Sequence, residues 1–176
     1  MARARPTHSI ESCAVLAYLR GEPGCEEIAG LVSDGENHVA VHKLVLLQLY
    51  VDFEGADGLE LAEQAWSDAA AVFSLDVQLD DAFLKRVARW RRELGGPGSL
   101  AIAAALAEEH EASLIAHAEE PRLNLLERSG LDVIVVGGAP SVIASTDMKP
   151  GTAPEASTEA ATGNKTAEPT SALDMT

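Results

Sequence analysis

Ile10-Glu11-Ser12-Cys13-Ala14-Val15-Leu16-Ala17-Tyr18-Leu19 runs a short apolar strand directly into an apolar helix, with an acid at the junction. The spacing predicts a strand over His8–Ser12 and a helix over Cys13–Arg20. In a parallel α/β sheet, ligands and catalytic groups collect at the carboxyl ends of strands, so an acid at such a switch is a candidate functional residue. Glu11 is that acid, and its role turns on whether other acids join it from later in the chain.

Outward from this stretch the alternation repeats. Gly21-Glu22-Pro23-Gly24 breaks the first helix, and Pro23 suits the first turn of a second one that runs to about Val32. Val39-Ala40-Val41 reads as a buried strand followed by an apolar helix over Leu44–Phe53. Leu59, Ala62, Trp66, Ala69 and Phe73 recur at spacings of three and four, one face of a further helix. Asp76–Leu79 is a short edge strand, and Asp80 is an N-cap for a helix with the inner face Phe83, Val87, Trp90 and Leu94. After Gly95-Gly96-Pro97-Gly98, Ser99 caps an alanine-rich helix from Leu100 to Glu111. Ser113–Ala116 is a strand, Pro121–Arg128 a helix and Asp132–Val136 a closing strand. Alternating strands and helices predict an α/β fold, a three-layer α/β/α sandwich around a central parallel sheet.

The chain has 176 residues and a formal charge of −15. Phosphate backbones are held by Lys and Arg, so this balance argues against a general nucleic-acid binder and confines any RNA contact to a local basic patch. Residues 1–6 read as a flexible start, 7–137 as the folded domain, and 138–176 as a disordered tail of Ala, Thr, Ser, Gly and Pro with scattered acids. The tail carries only −3 of the charge, so the acidity belongs to the domain. Cys13 and Cys25 lack the spacing of a zinc ribbon or redox pair and read as free thiols in a reducing compartment. With no apolar run of about 20 residues and no signal-peptide core, the expectation is a cytoplasmic protein without a membrane partner.

Over residues 7–136 the chain resembles a PIN domain, most closely the compact VapC-type toxin of VapBC toxin–antitoxin systems. Ile10–Leu16 is similar to the family's opening Leu-Asp-Thr/Ser-Ser-Ala-Leu-Leu, and Gly21-Glu22-Pro23-Gly24 to its Gly-Glu-Pro-Gly turn. Ala40-Val41-His42-Lys43-Leu44 resembles Ser-Ala-Val-Asn-Leu, and Gly98–Ala103 resembles Leu-Ser-Leu-Ala-Asp-Ala. Ser113–Ala118 resembles the Thr-Leu-Val-Thr-x-Asp end of the fourth strand, and Gly130–Ile134 the closing strand. The resemblance implies a ribonuclease that cuts RNA with Mg²⁺ or Mn²⁺ held by three or four carboxylates. A hard cation there activates water and neutralises the scissile phosphate.

Carried over residue by residue, the first family acid falls on Glu11, the second on Leu46, the third on Ile102 and the fourth on Ala118. Gln48 is a polar neighbour of the second position, and Glu119 and Glu120 are acids that could compensate for the fourth. One acid does not make a two-metal site, so the expectation is no metal, no cofactor and a nuclease chemistry that has been lost. The chain would then act as a binding or regulatory module, a homodimer with an antitoxin-like protein partner. The alternative is a divergent Mg²⁺- or Mn²⁺-dependent ribonuclease toxin, which alone would call for RNA at Lys85, Arg86, Arg89 and Arg92. Either reading leaves Glu11 as the one retained catalytic acid, or as a carboxylate bonded to a helix N-terminus. Cys13 as a nucleophile would need His42 or His117 as its base, and His38 and His42 have a four-residue spacing seen in some zinc sites. Trp66 and Trp90 read as core or interface, and the run Leu44–Val51 as a face for a second copy or partner.

Overall fold

A computed structural model describes residues 5–138. The expected flexible start and disordered tail fall outside the described residues, apart from Arg5, Pro6 and Gly138. Strands β1 (His8–Ile10), β2 (Val39–His42), β3 (Ser74–Asp76), β4 (Ser113–His117) and β5 (Val133–Val136) all pair in parallel, in the order β3-β2-β1-β4-β5. The connections are helical: α1 (Ser12–Arg20), α2 (Cys25–Ser33), α3 (Lys43–Asp57), α4 (Leu59–Val72), α5 (Asp81–Leu94), α6 (Gly98–His110) and α7 (Leu123–Arg128).

Successive side chains of a strand point to opposite faces, and the two faces here bury different cores. Ile10, Val39, Val41, Ile115 and Val136 pack with Val15, Ile28, Val45, Leu46, Leu49 and Phe73 under α1 to α4. Ala40, Leu114 and Ala116 pack with Phe83, Trp90, Leu94, Leu106 and Leu126 under α5 to α7. Both faces are covered, as a parallel sheet requires. Ala101, Ala103, Ala104, Ala105 and Ala107 are all buried on α6, so small side chains let this helix lie close against the sheet and α5. Ser9, buried beneath it, donates its hydroxyl to the Ala103 carbonyl at 2.9 Å.

Several boundaries differ from expectation for local reasons. The third strand lies at Ser74–Asp76 rather than 76–79, because the Asp76 carboxylate accepts the Gln78 N–H at 2.8 Å and turns the chain there. Helix α6 begins at Gly98 with Pro97 at its cap position and no side-chain cap bond, so Ser99 sits in its first turn instead of capping it. Pro23 precedes α2, whose N-cap is Gly24. Asp80 caps α5 as expected, accepting from Phe83 N at 2.9 Å.

The Gly21–Gly24 turn seats itself on the far end of β5. Gly137 has φ of 73°, and a Cβ there would lie 2.4 Å from His117 Nε2 and 2.6 Å from the Pro23 carbonyl. Gly24, with φ of 99°, would bring its own Cβ to 2.9 Å from Gly137 N. Backbone conformation and space both demand glycine here. Gly137→Ala is therefore expected to destabilise the domain by about 2 kcal/mol or more, read as a lower urea midpoint with an unchanged slope.

Candidate functional site

The order β3-β2-β1-β4-β5 places the sheet's switch point between β1 and β4, and Glu11 follows β1 there. It is the N-cap of α1, with 0% of its surface exposed. Its Oε1 accepts from Ala14 N at 2.9 Å and from His117 N at 3.0 Å, and its Oε2 from Cys13 N at 2.7 Å. One carboxylate thus satisfies two first-turn amides of α1 and an amide at the end of β4, where the positive helix terminus favours negative charge. Burial still pushes the Glu11 carboxyl above its ordinary range, outweighing these three bonds, and the Glu120 charge adds to the rise.

Of the two acids beyond β4, one reaches this place. Glu120 is 5% exposed, and a carboxylate oxygen of Glu11, the Cys13 Sγ and a carboxylate oxygen of Glu120 lie within 4.8 Å of one another. Glu120 Oε1 accepts from Arg122 N at 3.0 Å and from Arg122 Nη1 at 3.2 Å. Glu119 is exposed, with its amide on His117 Nδ1 at 3.3 Å. Nearby, the Ser12 hydroxyl donates to Ser99 Oγ at 3.0 Å and so ties the starts of α1 and α6.

The other positions lie elsewhere. Leu46 is 2% exposed within the α1–α4 core, and Ile102 packs against both cores. Ala118 spends its amide on the Val136 carbonyl at 2.8 Å. Gln48 turns outward to Asp52 at 2.9 Å. Among the basic residues, Arg86 pairs with Glu109 and Arg89 with Glu108, which also accepts from the Trp90 indole at 2.7 Å; Lys85 and Arg92 are exposed.

Neither histidine is free to serve Cys13. His42 Nδ1 accepts from Leu44 N at 3.1 Å, so its Nε2–H is the donor to the Gln78 carbonyl at 2.8 Å. His117 Nε2 lies 3.0 Å from the Pro23 carbonyl, with its other nitrogen on Glu119 N. Burial, then the Glu11 and Glu120 charges, push the Cys13 thiol up to about 12, so it stays protonated at neutral pH. His38 precedes β2 and His42 ends it. Four residues of extended chain span roughly 13 Å, too far for one metal ion.

Mg²⁺ asks for near-octahedral oxygen ligation and keeps several waters. The residues at this switch offer a protonated thiol, a fully buried Glu11 whose oxygens already hold three amides, and a Glu120 engaged by a guanidinium. Leu46 and Ile102 contribute no donor atom. This set does not fit the two-metal centre that the family resemblance implies.

Arg122 and the Ser12–Ser99 pair belong to the site although no pattern along the chain singles them out. The only available signals were the Glu120-Pro121-Arg122 spacing and the glycine-rich loop before α6.

No family model matches the sequence, and no curated protein matches it. In three dimensions the chain is similar to VapBC2 from Rickettsia felis bound to a DNA fragment from its promoter. There the TM-score is 0.57 at 12% identity, covering 73% of this chain and 97% of that one. DNA-bound VapBC from Salmonella typhimurium gives 0.55 at 14%, covering 74% and 98%. A protein from Pyrobaculum aerophilum gives 0.54 at 14%, covering 76% and 92%. At these identities the likeness is one of fold, and the fold of this chain is the PIN-like α/β/α sandwich of VapBC structures.

Two outcomes follow from the site chemistry. A folded-state pKa above the unfolded one means that the Glu11 contribution is full below its ordinary 4.5 and is lost as pH rises through the raised value. Glu11→Gln should cost about 2 kcal/mol at pH 4 through weakened capping, and its urea midpoint should fall less than the wild type's between pH 4.5 and 7. A Cys25→Ser variant, leaving Cys13 alone, should react with iodoacetamide at pH 8 roughly thirtyfold or more slower than an unperturbed thiol, the lower thiolate fraction outweighing the higher nucleophilicity of that thiolate; a rate near that of free cysteine would contradict the protonated state.

Proposed function

We propose that this chain is a PIN-like domain without metal-dependent nuclease chemistry, which acts in the cytoplasm as a binding and regulatory module. The carrying observation is the use made of Glu11: the one family acid retained is a buried helix cap tied to β4. The apolar, inward Leu46 and Ile102 support the same reading, because no carboxylate comes from α3 or α6 to face it. Such a domain needs no cofactor.

Its partner is proposed to be a protein. The similar solved structures from Rickettsia felis and Salmonella typhimurium are VapBC assemblies, which supports an antitoxin-like partner here. Leu47 and Val51 on α3 are 50% and 52% exposed, and Leu59 and Leu61 on α4 are also exposed. Tyr50 meets Trp66 edge-on at 6.2 Å between these helices. Apolar exposure of this kind supports an association surface on α3 and α4, for a second copy or for the partner. Among the described residues, no helix is long and apolar enough to cross a membrane.

The rival reading, a divergent Mg²⁺- or Mn²⁺-dependent ribonuclease, draws on the approach of Glu120 to Glu11. A ribonuclease assay with either ion separates the two. The proposal expects no cleavage above a buffer control and no metal-dependent change in Tm. Metal-dependent cleavage that Glu11→Ala abolishes would establish the rival.

A further inference from the structure

The disagreement between the expected metal centre and the residues present leaves an electrostatic problem. Glu11 and Glu120 are both buried, with carboxylate oxygens within 4.8 Å. Two carboxylates at that separation and depth repel when both are ionised, and a nearby positive charge relieves that repulsion without a bound proton. The three amides on Glu11 are partial charges serving Glu11 alone, and none of them reaches Glu120.

We infer that Arg122 is the site's own cation: its guanidinium supplies the charge that a divalent ion would bring and closes the Glu11–Glu120 pair to such an ion. This rests on the reading that nuclease chemistry is absent. Arg122 engages Glu120 Oε1 twice, through its backbone amide at 3.0 Å and Nη1 at 3.2 Å, so one residue fixes both the turn and the charge. Pro121 stands between the two and limits how the pair can separate.

An independent feature of the α5–α6 loop is its close approach to the arginine. Gly96 does not have the left-handed φ that would call for glycine, yet a Cβ there would lie 2.6 Å from Arg122 Nε and 2.7 Å from its Cδ. The missing side chain makes room for the guanidinium stem. The α5–α6 loop therefore lies against the arginine stem while Nη1 faces Glu120. A guanidinium is protonated at every physiological pH and exchanges with nothing, unlike a metal in equilibrium with its pool. Arg122 is accordingly a positioning residue, which keeps the two acids apart from cations.

The test titrates Mn²⁺ into the full chain and reads the free-ion EPR signal together with Tm. Wild type should take up no Mn²⁺ at 1 mM. Arg122→Met should lose roughly 5 °C or more in Tm without metal, then bind Mn²⁺ and regain several degrees at 1 mM. Arg122→Lys, which keeps the charge, should remain as unresponsive as wild type. Glu120→Gln with Arg122→Met should be more stable than Arg122→Met alone and bind no Mn²⁺. Gly96→Ala, which displaces the stem, should show an intermediate uptake. If Arg122→Met is insoluble without metal, the double variant should still be soluble; insolubility of both would overturn the inference. So would an Arg122→Met protein as unresponsive to Mn²⁺ as wild type, or wild-type uptake that needs Glu11. Metal-dependent RNA cleavage by wild type would instead overturn the functional reading beneath it, and the two failures are read on different proteins.

Discussion

A single carboxylate joins three separate pieces of backbone at the centre of this fold. Glu11 ends β1, caps α1 and holds the amide of His117 as β4 leaves the sheet. Strand β1 has three residues, so little of its own ladder fixes where the chain turns. The side chain completes that work. Glu has one methylene more than Asp, and the extra reach lets one carboxylate serve α1 and the neighbouring strand together. Its cost is the burial of a carboxylate, which three amide dipoles and the helix terminus offset only in part.

The rest of the acidic surface is managed differently on the two sides of the sheet. On α5 and α6, Arg86 and Arg89 face Glu108 and Glu109, and Trp90 adds its indole N–H to Glu108. These partly exposed pairs each contribute little alone, though shared acceptors make them a network. The outcome is that two of the chain's few cations are spent on its own helices. On α3 and α4 the acids stand among exposed apolar residues, balanced by Lys43 and by Arg20, which reaches Asp57 at 3.4 Å.

Periodicity made the fold legible. Strand positions such as Val39–Val41 are a continuous apolar run because both faces are covered, and Phe83, Val87, Trp90 and Leu94 mark the inner face of α5 at helical spacing. The ends of elements were less legible, since Asp76 acts through a local hydrogen bond and Pro97 through its fixed, extended backbone, neither of which a hydrophobic pattern encodes. At the site, Glu11 was visible from its place at a strand end, and its use as a cap was one of two readings open. The approach of Glu120 was an option among neighbours, and Arg122 was not seen at all. Both depend on how a tight turn after β4 folds back, which involves contacts between residues more than 100 positions apart along the chain, as from His117 to Glu11.

Ile102 touches both cores at once, and Leu46 lies inside one of them. These side chains are now structural members on which the sheet and two helix layers lean. An acid introduced at Leu46 would bury an unpaired charge at a cost of several kcal/mol, a large share of what holds a domain of this size together. A carboxylate cluster at these positions would require several substitutions together, each unfavourable without the others. The contacts that hold the sheet to its helices are thus the same ones that stand against acids at these positions.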